Sequence, residues 1–234
     1  MGPGGLFLAA RMLREVAAAP TMRIMDLGCG RGATSVFLAE RLDATIHSVD
    51  LWNSAEERLA LIERHGLQDR ITPLQLDVTR RLPFAAGYFD LIFCMDAFHY
   101  FGARRGVLAR LAGHLKPGGQ LVVGNPCFDR ELKGAPPAAY VEPWASEFSK
   151  YHSPAWWGRR LRGTGLFADV RVQEAEDGKA LWDDDLLYDL EHDAQPRDLA
   201  ADAEQILLGR EQRAYPCLTH LVLAATTTYP QTPD

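Results

Sequence analysis

The stretch Asp26-Leu27-Gly28-Cys29-Gly30-Arg31-Gly32-Ala33-Thr34-Ser35 restricts the fold more than any other part of the chain. Arg23-Ile24-Met25 before it begins a short, mainly apolar segment that reads as a buried strand. After Gly32, the apolar residues Val36, Phe37, Ala39 and Leu42 recur at helical spacing. Strand, glycine loop and helix together form the opening of a nucleotide-binding α/β unit. Glycine permits backbone angles closed to other residues and lets a ligand approach the main chain. The helix start offers unpaired N–H groups and the positive end of its dipole.

The glycines alone do not name the ligand. Gly28-x-Gly30-x-x-Ala33 satisfies the permissive dinucleotide fingerprint, so a nicotinamide or flavin reading stands beside any other. Asp26 pulls away from it, because a carboxylate facing the ligand there is a poor neighbour for a pyrophosphate. With Asp26 two residues before Gly28, the run resembles the first motif of class I S-adenosylmethionine (SAM) methyltransferases, an acidic residue, a spacer and G-x-G-x-G. Asp26, Gly28, Gly30 and Gly32 occupy that motif's positions.

The next two strands end on acidic residues. Ala44-Thr45-Ile46-His47-Ser48-Val49 is β-rich and leads into Asp50, 22 positions after Gly28. A carboxylate at the end of a second strand accepts hydrogen bonds from ribose hydroxyls in nicotinamide enzymes and in methyltransferases, so Asp50 does not choose between them. Ser54 and Glu57 have capping-box spacing for the helix that follows. Trp52 stands where it can lie against an adenine. The third strand, Ile71 to Leu76, ends at Asp77-Val78; the methyltransferase resemblance implies that this pair binds the adenine, by side chain and by backbone N–H.

Two further motifs separate the families. Leu82-Pro83-Phe84, followed by Phe89-Asp90-Leu91-Ile92, resembles the fourth-strand region of small-molecule methyltransferases related to the ubiquinone and menaquinone biosynthesis enzymes. Leu115-Lys116-Pro117-Gly118-Gly119 before a β-rich run is another mark of that family, a turn into a fifth strand. The resemblance covers about residues 23–124. It implies an α/β, Rossmann-like doubly wound sheet of about seven strands, mostly parallel with an antiparallel last strand, plus a small lid. It also implies a cofactor set of Asp26, Gly28, Cys29, Gly30, Thr34, Asp50, Leu51, Trp52, Asp77, Val78 and Met95. The cofactor is then SAM and the product S-adenosylhomocysteine.

Composition narrows the partners. A chain of 234 residues is expected to form one domain, 1–234, with residues 1–20 as an N-terminal helix and 21–125 as the cofactor-binding half. The helix is expected to cover the sheet edge with Leu6, Ala9, Ala10, Leu13 and Ala17. A net charge of −6 argues against affinity drawn from nucleic-acid phosphates. No apolar run is long enough to span a bilayer, and no secretory leader is expected. Cys29, Cys94, Cys127 and Cys217 lack metal-ligand spacing and read as reduced cytoplasmic thiols.

Beyond Asn125 the motifs end, and the acceptor must be specified there. Segments 126–160, rich in proline and aromatic residues, and 176–216 read as lid or substrate insertions, the second also as a homodimer surface. A helix is expected from Pro154 to Arg162, a sixth strand near Phe167–Val172 and a last one from Leu218 to Thr226. His99 and His152 are the candidate bases, with Tyr100 and Tyr151 as positioning residues. His99 leads because it follows the fourth strand, where open α/β sheets place their ligands. The acceptor is expected to be a small molecule, aromatic or amine. Asp96 and Asn125 match two ligand positions of magnesium-dependent catechol-type enzymes. Gly124 stands at the third, so no metal is expected. A SAM-binding protein without catalysis is the reading of another class, and a nicotinamide oxidoreductase a distant one.

Overall fold

The structure, a computed structural model, describes residues 5–132, 150–180 and 218–227. Strand β1 (Met22–Leu27) is buried along nearly its whole length, as is β4 (Phe89–Met95), the pattern of strands covered on both faces. They pair in parallel near the middle of a seven-stranded sheet of order β3-β2-β1-β4-β5-β7-β6. The remaining strands are β2 (Ala44–Asp50), β3 (Ile71–Gln75), β5 (Leu115–Phe128), β6 (Phe167–Glu174) and β7 (Leu218–Thr227). Pairing is parallel from β3 to β5, and β7 runs antiparallel to both β5 and β6. This is the doubly wound sheet expected from the motifs, with its antiparallel final strand.

Side-chain alternation sends successive strand residues to opposite faces. Met25, Leu27, Ile92 and Cys94 meet one helical layer, α4 (Arg105–His114) and α5 (Pro154–Arg162), through Leu108, Leu111, Trp157 and Leu161. Ile24, Leu91, Phe93 and Met95 meet the other, α1 (Gly5–Met12), α2 (Ala33–Arg41) and α3 (Ala55–Arg64). The chain winds from β1 outward through β2 to β3, then returns to place β4 on the other side of β1. The crevice beyond β1 and β4 is thus the switch point at which such sheets bind ligands.

Helix α1 departs from expectation. It buries Leu8, Ala9 and Met12, whereas Leu6, Ala10 and Ala17 are exposed. It rests on the interior of the sheet, against β4, β5 and β7, and not on an edge. Gly124 makes this approach possible: a Cβ there would stand 2.5 Å from Met12 Sδ and 3.0 Å from Leu8 Cδ2. The face turned to the sheet is the Leu8, Ala9 and Met12 side of the helix, and Leu13 already belongs to a 3₁₀ turn, where helical spacing no longer applies.

Asp90 accepts from the Arg23 backbone N–H at 2.8 Å and pairs with Lys116, joining β1, β4 and the start of β5. Strand β5 continues to Phe128, and α5 packs on β6, so both ends of the 126–160 segment belong to the scaffold. Most of its middle, and nearly all of 176–216, lies outside the described residues, as do the lid and dimer expectations placed there. No described helix is long and apolar enough to cross a membrane.

Candidate active site

The glycine loop is fixed from beneath by β2. Gly28 and Cys29 donate backbone N–H bonds to Val49 O at 2.8 and 3.2 Å. Gly28 has φ +70°, and a Cβ on it would lie 2.3 Å from Ala97 Cβ, so only glycine lets the loop close against the end of β4. Asp50 gathers the surroundings: Oδ2 accepts from Gly30 N at 2.9 Å, and Oδ1 from the backbone N–H groups of Trp52 and Asn53, both at 2.8 Å. The expected capping box of Ser54 and Glu57 then starts α3. Arg58, fully buried, donates to the carbonyls of Asn53 and Leu74 at 2.7 Å and braces this turn.

Asp26 does not face the groove, contrary to expectation. It is 0% exposed and lies under the loop, where Ser35 Oγ donates to its Oδ2 at 2.6 Å. Ser48 Oγ stands 2.8 Å from Ser35 Oγ and 3.0 Å from Cys29 Sγ, extending the buried chain of polar atoms. Oδ1 of Asp26 is buried with no hydrogen-bond partner among the described residues. Burial pushes the Asp26 pKa up to about 7. The Ser35 bond and the Arg58 charge lower it in part, and the Asp50 charge adds to the rise. Burial, followed by the nearby Asp26, likewise pushes the Cys29 thiol up to about 12, so it is no nucleophile.

Two adjoining cavities share Gly28, Asp50, Trp52, Ala97 and Tyr100 as walls and form one groove along the ends of β1, β2 and β4. The apolar end adds Leu51, Leu76, Asp77, Val78 and Phe101. The polar end adds Cys29, Gly30, Arg31, Thr34, Met95 and Asp96. Every expected cofactor residue except Asp26 lines this groove. Asp77 Oδ1 accepts from the Thr79 hydroxyl at 2.6 Å and from its backbone N–H at 2.8 Å. These bonds hold its carboxyl below the usual range.

Among the wall residues outside the expected cofactor set are Arg31, Asp96, Ala97 and Phe101, Asp96 having been weighed only as a metal ligand. The first sits in the loop as its variable position, and the others follow β4 in a stretch whose turn geometry no periodicity reports. Asp96 takes φ +53°, a strained conformation for a residue with a side chain, while its N–H donates to Gly124 O at 2.7 Å.

The candidate bases separate. His99 is 5% exposed in a 3₁₀ turn, Phe98–Tyr100, with Nδ1 3.4 Å from Asn125 Oδ1. Its ring centroid lies 4.0 Å from that of Tyr100 and 5.1 Å from that of Tyr151. Tyr100 in turn meets Trp52 edge-on at 5.3 Å, so the trio reaches the groove wall. His152 belongs elsewhere. Its Nδ1 lies 2.7 Å from Glu131 Oε1 and its ring stacks on Trp156 at 3.6 Å. Ser153 donates to Glu131 Oε2 through N and Oγ while capping α5. Burial alone would raise the Glu131 pKa, and the bonds from His152 and Ser153 outweigh it and hold it low. His152 is thus built into the start of a scaffold helix, a role its Ser-Pro context suited all along.

Residues 24–119 match the methyltransferase domain family. The ubiquinone biosynthesis O-methyltransferase of Burkholderia pseudomallei (strain 1710b) is 27% identical over 158 residues, 63% of this chain and 65% of that protein. The chain spans only 29% to 52% of the length of seven other curated relatives that it matches. Among solved structures, Haemonchus contortus phosphoethanolamine N-methyltransferase 2, in complex with phosphomonomethylethanolamine and S-adenosylhomocysteine, superposes with TM-score 0.75 at 18% identity. That match covers 97% of this chain and 54% of the other. The [4+2]-cyclase SpnF superposes at TM-score 0.71 and 18% identity, covering 95% of this chain and 80% of the other. By motif order, domain match and fold, the chain is similar to the class I SAM-dependent methyltransferases of small-molecule type. SAM is the cofactor of that class.

Proposed function

We propose that the chain transfers a methyl group from SAM to a small-molecule acceptor, onto oxygen or nitrogen, without a metal ion. The observation that carries this reading is the single groove whose chemistry changes along its length. Its apolar end, with Leu51, Val78 and Phe101, suits an adenine, and Asp77 adds an acceptor for the exocyclic amine. Asp50 stands in the middle, where a ribose would lie, and the polar end suits a zwitterionic amino-acid tail. A dinucleotide fits worse, because Asp96 at the polar end would stand near its pyrophosphate.

Bound SAM supplies a methyl group already activated by the sulfonium, so the protein has chiefly to align the acceptor and exclude water. Asp50 holds the glycine loop and the β2–α3 turn through backbone bonds, giving the cofactor a preset wall. Tyr100 and Tyr151 flank the His99 ring and fix its plane. With Nδ1 donating to Asn125 Oδ1, the His99 tautomer carries its lone pair on Nε2, the form that accepts a proton from a phenol or an ammonium. The test is a screen of phenolic, amine and carboxylate acceptors scored by S-adenosylhomocysteine release. Turnover on a phenol or amine supports the reading; acceptor-dependent release only with carbon nucleophiles removes the oxygen-or-nitrogen assignment.

A second reading keeps the cofactor and drops methyl transfer. It is favoured by the burial of His99 and by the likeness to a cyclase of the same fold. Tight cofactor binding with no release on any acceptor class would establish it.

A further inference from the structure

Carboxylates gather on the cofactor side of the groove, where Asp50, Asp77 and Asp96 all form walls. Beyond β4 the pattern reverses. Residues 97–128, which carry His99 and Asn125, include no Asp or Glu, and neither do residues 150–168, which carry Tyr151. Each of these stretches holds four lysines and arginines. Asp129 and Glu131 follow only after β5 ends, and Glu131 is engaged by His152 and Ser153.

Lys150 brings one of these cations to the groove. Its Nζ stands 4.8 Å from the centroid of the Tyr100 ring, and Tyr100 lines both parts of the groove. The His99 ring lies 4.0 Å from the same centroid. Ammonium and imidazole are therefore no farther apart than those two distances laid end to end. Lys150 is half-buried and next in the chain to Tyr151, whose ring meets His99 at 5.1 Å. An ammonium is a compact charge with three donors on a flexible stem, which suits a carboxylate or a phosphate. A nucleophile placed at His99 would leave a substituent one ring's breadth away within its reach. A cationic substituent at the same place would meet like charge.

We infer that the acceptor carries an anionic group, a carboxylate or a phosphate, and that Lys150 holds it while the nucleophile lies at His99. The inference rests on the methyl-transfer reading, and the test separates the two. Steady-state kinetics on the full chain would compare matched phenols: para-hydroxyphenylacetate, hydroquinone monophosphate, the neutral para-hydroxyphenylacetamide and the cationic para-hydroxyphenyltrimethylammonium. For amines, para-(aminomethyl)benzoate is set against benzylamine. Wild type should favour the anionic members in kcat/KM, and the first two phenols tell carboxylate from phosphate. Lys150→Ala should raise KM for the anionic acceptors about ten-fold, the low end for a hydrogen bond between charged groups. Its kcat, its affinity for S-adenosylhomocysteine and its KM for the neutral acceptors should stay nearly unchanged. Lys150→Arg should keep most of the preference, and Lys150→Glu should turn it toward the cationic phenol. Should Lys150→Ala disturb the Tyr100 ring, Lys150→Gln removes the charge and keeps most of the stem. A rise in KM for all acceptors alike would mean that Lys150 only packs on Tyr100, and would overturn the assignment. So would a wild type that prefers the neutral or cationic acceptors. Cofactor binding with no turnover of any acceptor would overturn the methyl-transfer reading and the inference with it.

Discussion

On the glycine-loop side of the groove, backbone N–H groups of Gly30, Trp52 and Asn53 converge on the two oxygens of Asp50. Beyond β4, by contrast, His99 is held by the rings of Tyr100 and Tyr151 and by a long contact to Asn125. The first side is fixed by main-chain hydrogen bonds, which few side chains can alter. The second is fixed by side-chain packing, which any substitution changes. A cofactor wall common to many acceptors can be rigid and invariant in design, whereas an acceptor wall must be made from replaceable parts.

The largest effect should come from the second side. His99→Ala is expected to lower kcat roughly 10²–10⁴-fold, the usual contribution of a general base, with SAM affinity nearly unchanged. His152→Ala should leave kcat in place and lower the melting temperature, because His152 secures Glu131 at the start of α5. Steady-state kinetics on both variants check the pair. Loss of kcat in His152→Ala with His99→Ala unaffected would invert the assignment. The acidic limb of the pH–rate profile should vanish in His99→Ala alone.

Beneath the first side, Asp26 gives the next effect. Its pKa is about 7 in the folded chain against a reference of 3.8. Between those values the folded state holds the proton more strongly than the unfolded state does. The contribution of this group is therefore present below pH ~4 and is lost as pH rises toward ~7, then stays level. Asp26→Asn keeps an acceptor for Ser35 and removes the titration. It should stabilise the protein at pH 8 by on the order of 2–4 kcal/mol and little at pH 4. Denaturant unfolding at the two pH values measures this. A variant less stable at pH 8 would show that the ionised carboxylate is favoured there by Arg58.

These two cases mark what the sequence made legible. The doubly wound sheet and its antiparallel last strand followed from the resemblance carried by Asp26 to Gly32, the strand-ending Asp50 and Asp77, and the Leu115–Gly119 turn, because each motif is a local backbone device. Which way Asp26 points was not legible. Strand alternation places Asp26 on the opposite face from Met25 and Leu27, and only the packing of Ser35 and Ser48 shows that this face is closed. Arg58 was hidden for a similar reason. It stands four residues before the buried Ile62 on α3, an apolar position by spacing that a charge made look solvated. His152 sits next to Tyr151 in the chain, yet the two rings face different partners, and sequence adjacency made them look like one site.

Asp50 tests the rigid side directly. Its ring of backbone bonds means that Asp50→Ala would remove the proposed ribose contact and release the loop together. Affinity for SAM should fall about ten- to a hundred-fold, corresponding to roughly 1.5–3 kcal/mol for charge-assisted bonds. Asp50→Asn should fall less, since one oxygen remains to accept from the loop. Calorimetric affinities equal to wild type would take Asp50 out of the cofactor wall.

The smallest expected effect concerns metal, and it sharpens the comparison because the candidate ligands straddle both sides. Asp96 and Asn125 are the two residues matched above to ligand positions of magnesium-dependent catechol-type enzymes. Asn125, however, is fully buried, and its Oδ1 accepts from Phe98 N at 3.2 Å while facing His99 Nδ1. Withdrawing that oxygen to a cation would release the turn that carries His99. Gly124 cannot be replaced by a ligating residue either, since α1 packs where its side chain would go. Two oxygens, one already committed, make a weak site for an ion that requires near-octahedral oxygen coordination. Treatment with EDTA should therefore leave turnover unchanged, and added magnesium should not raise it. Activity lost to chelation and restored by magnesium would show that Asn125 turns to a metal in the working enzyme, and that the side beyond β4 is organised by an ion and not by packing.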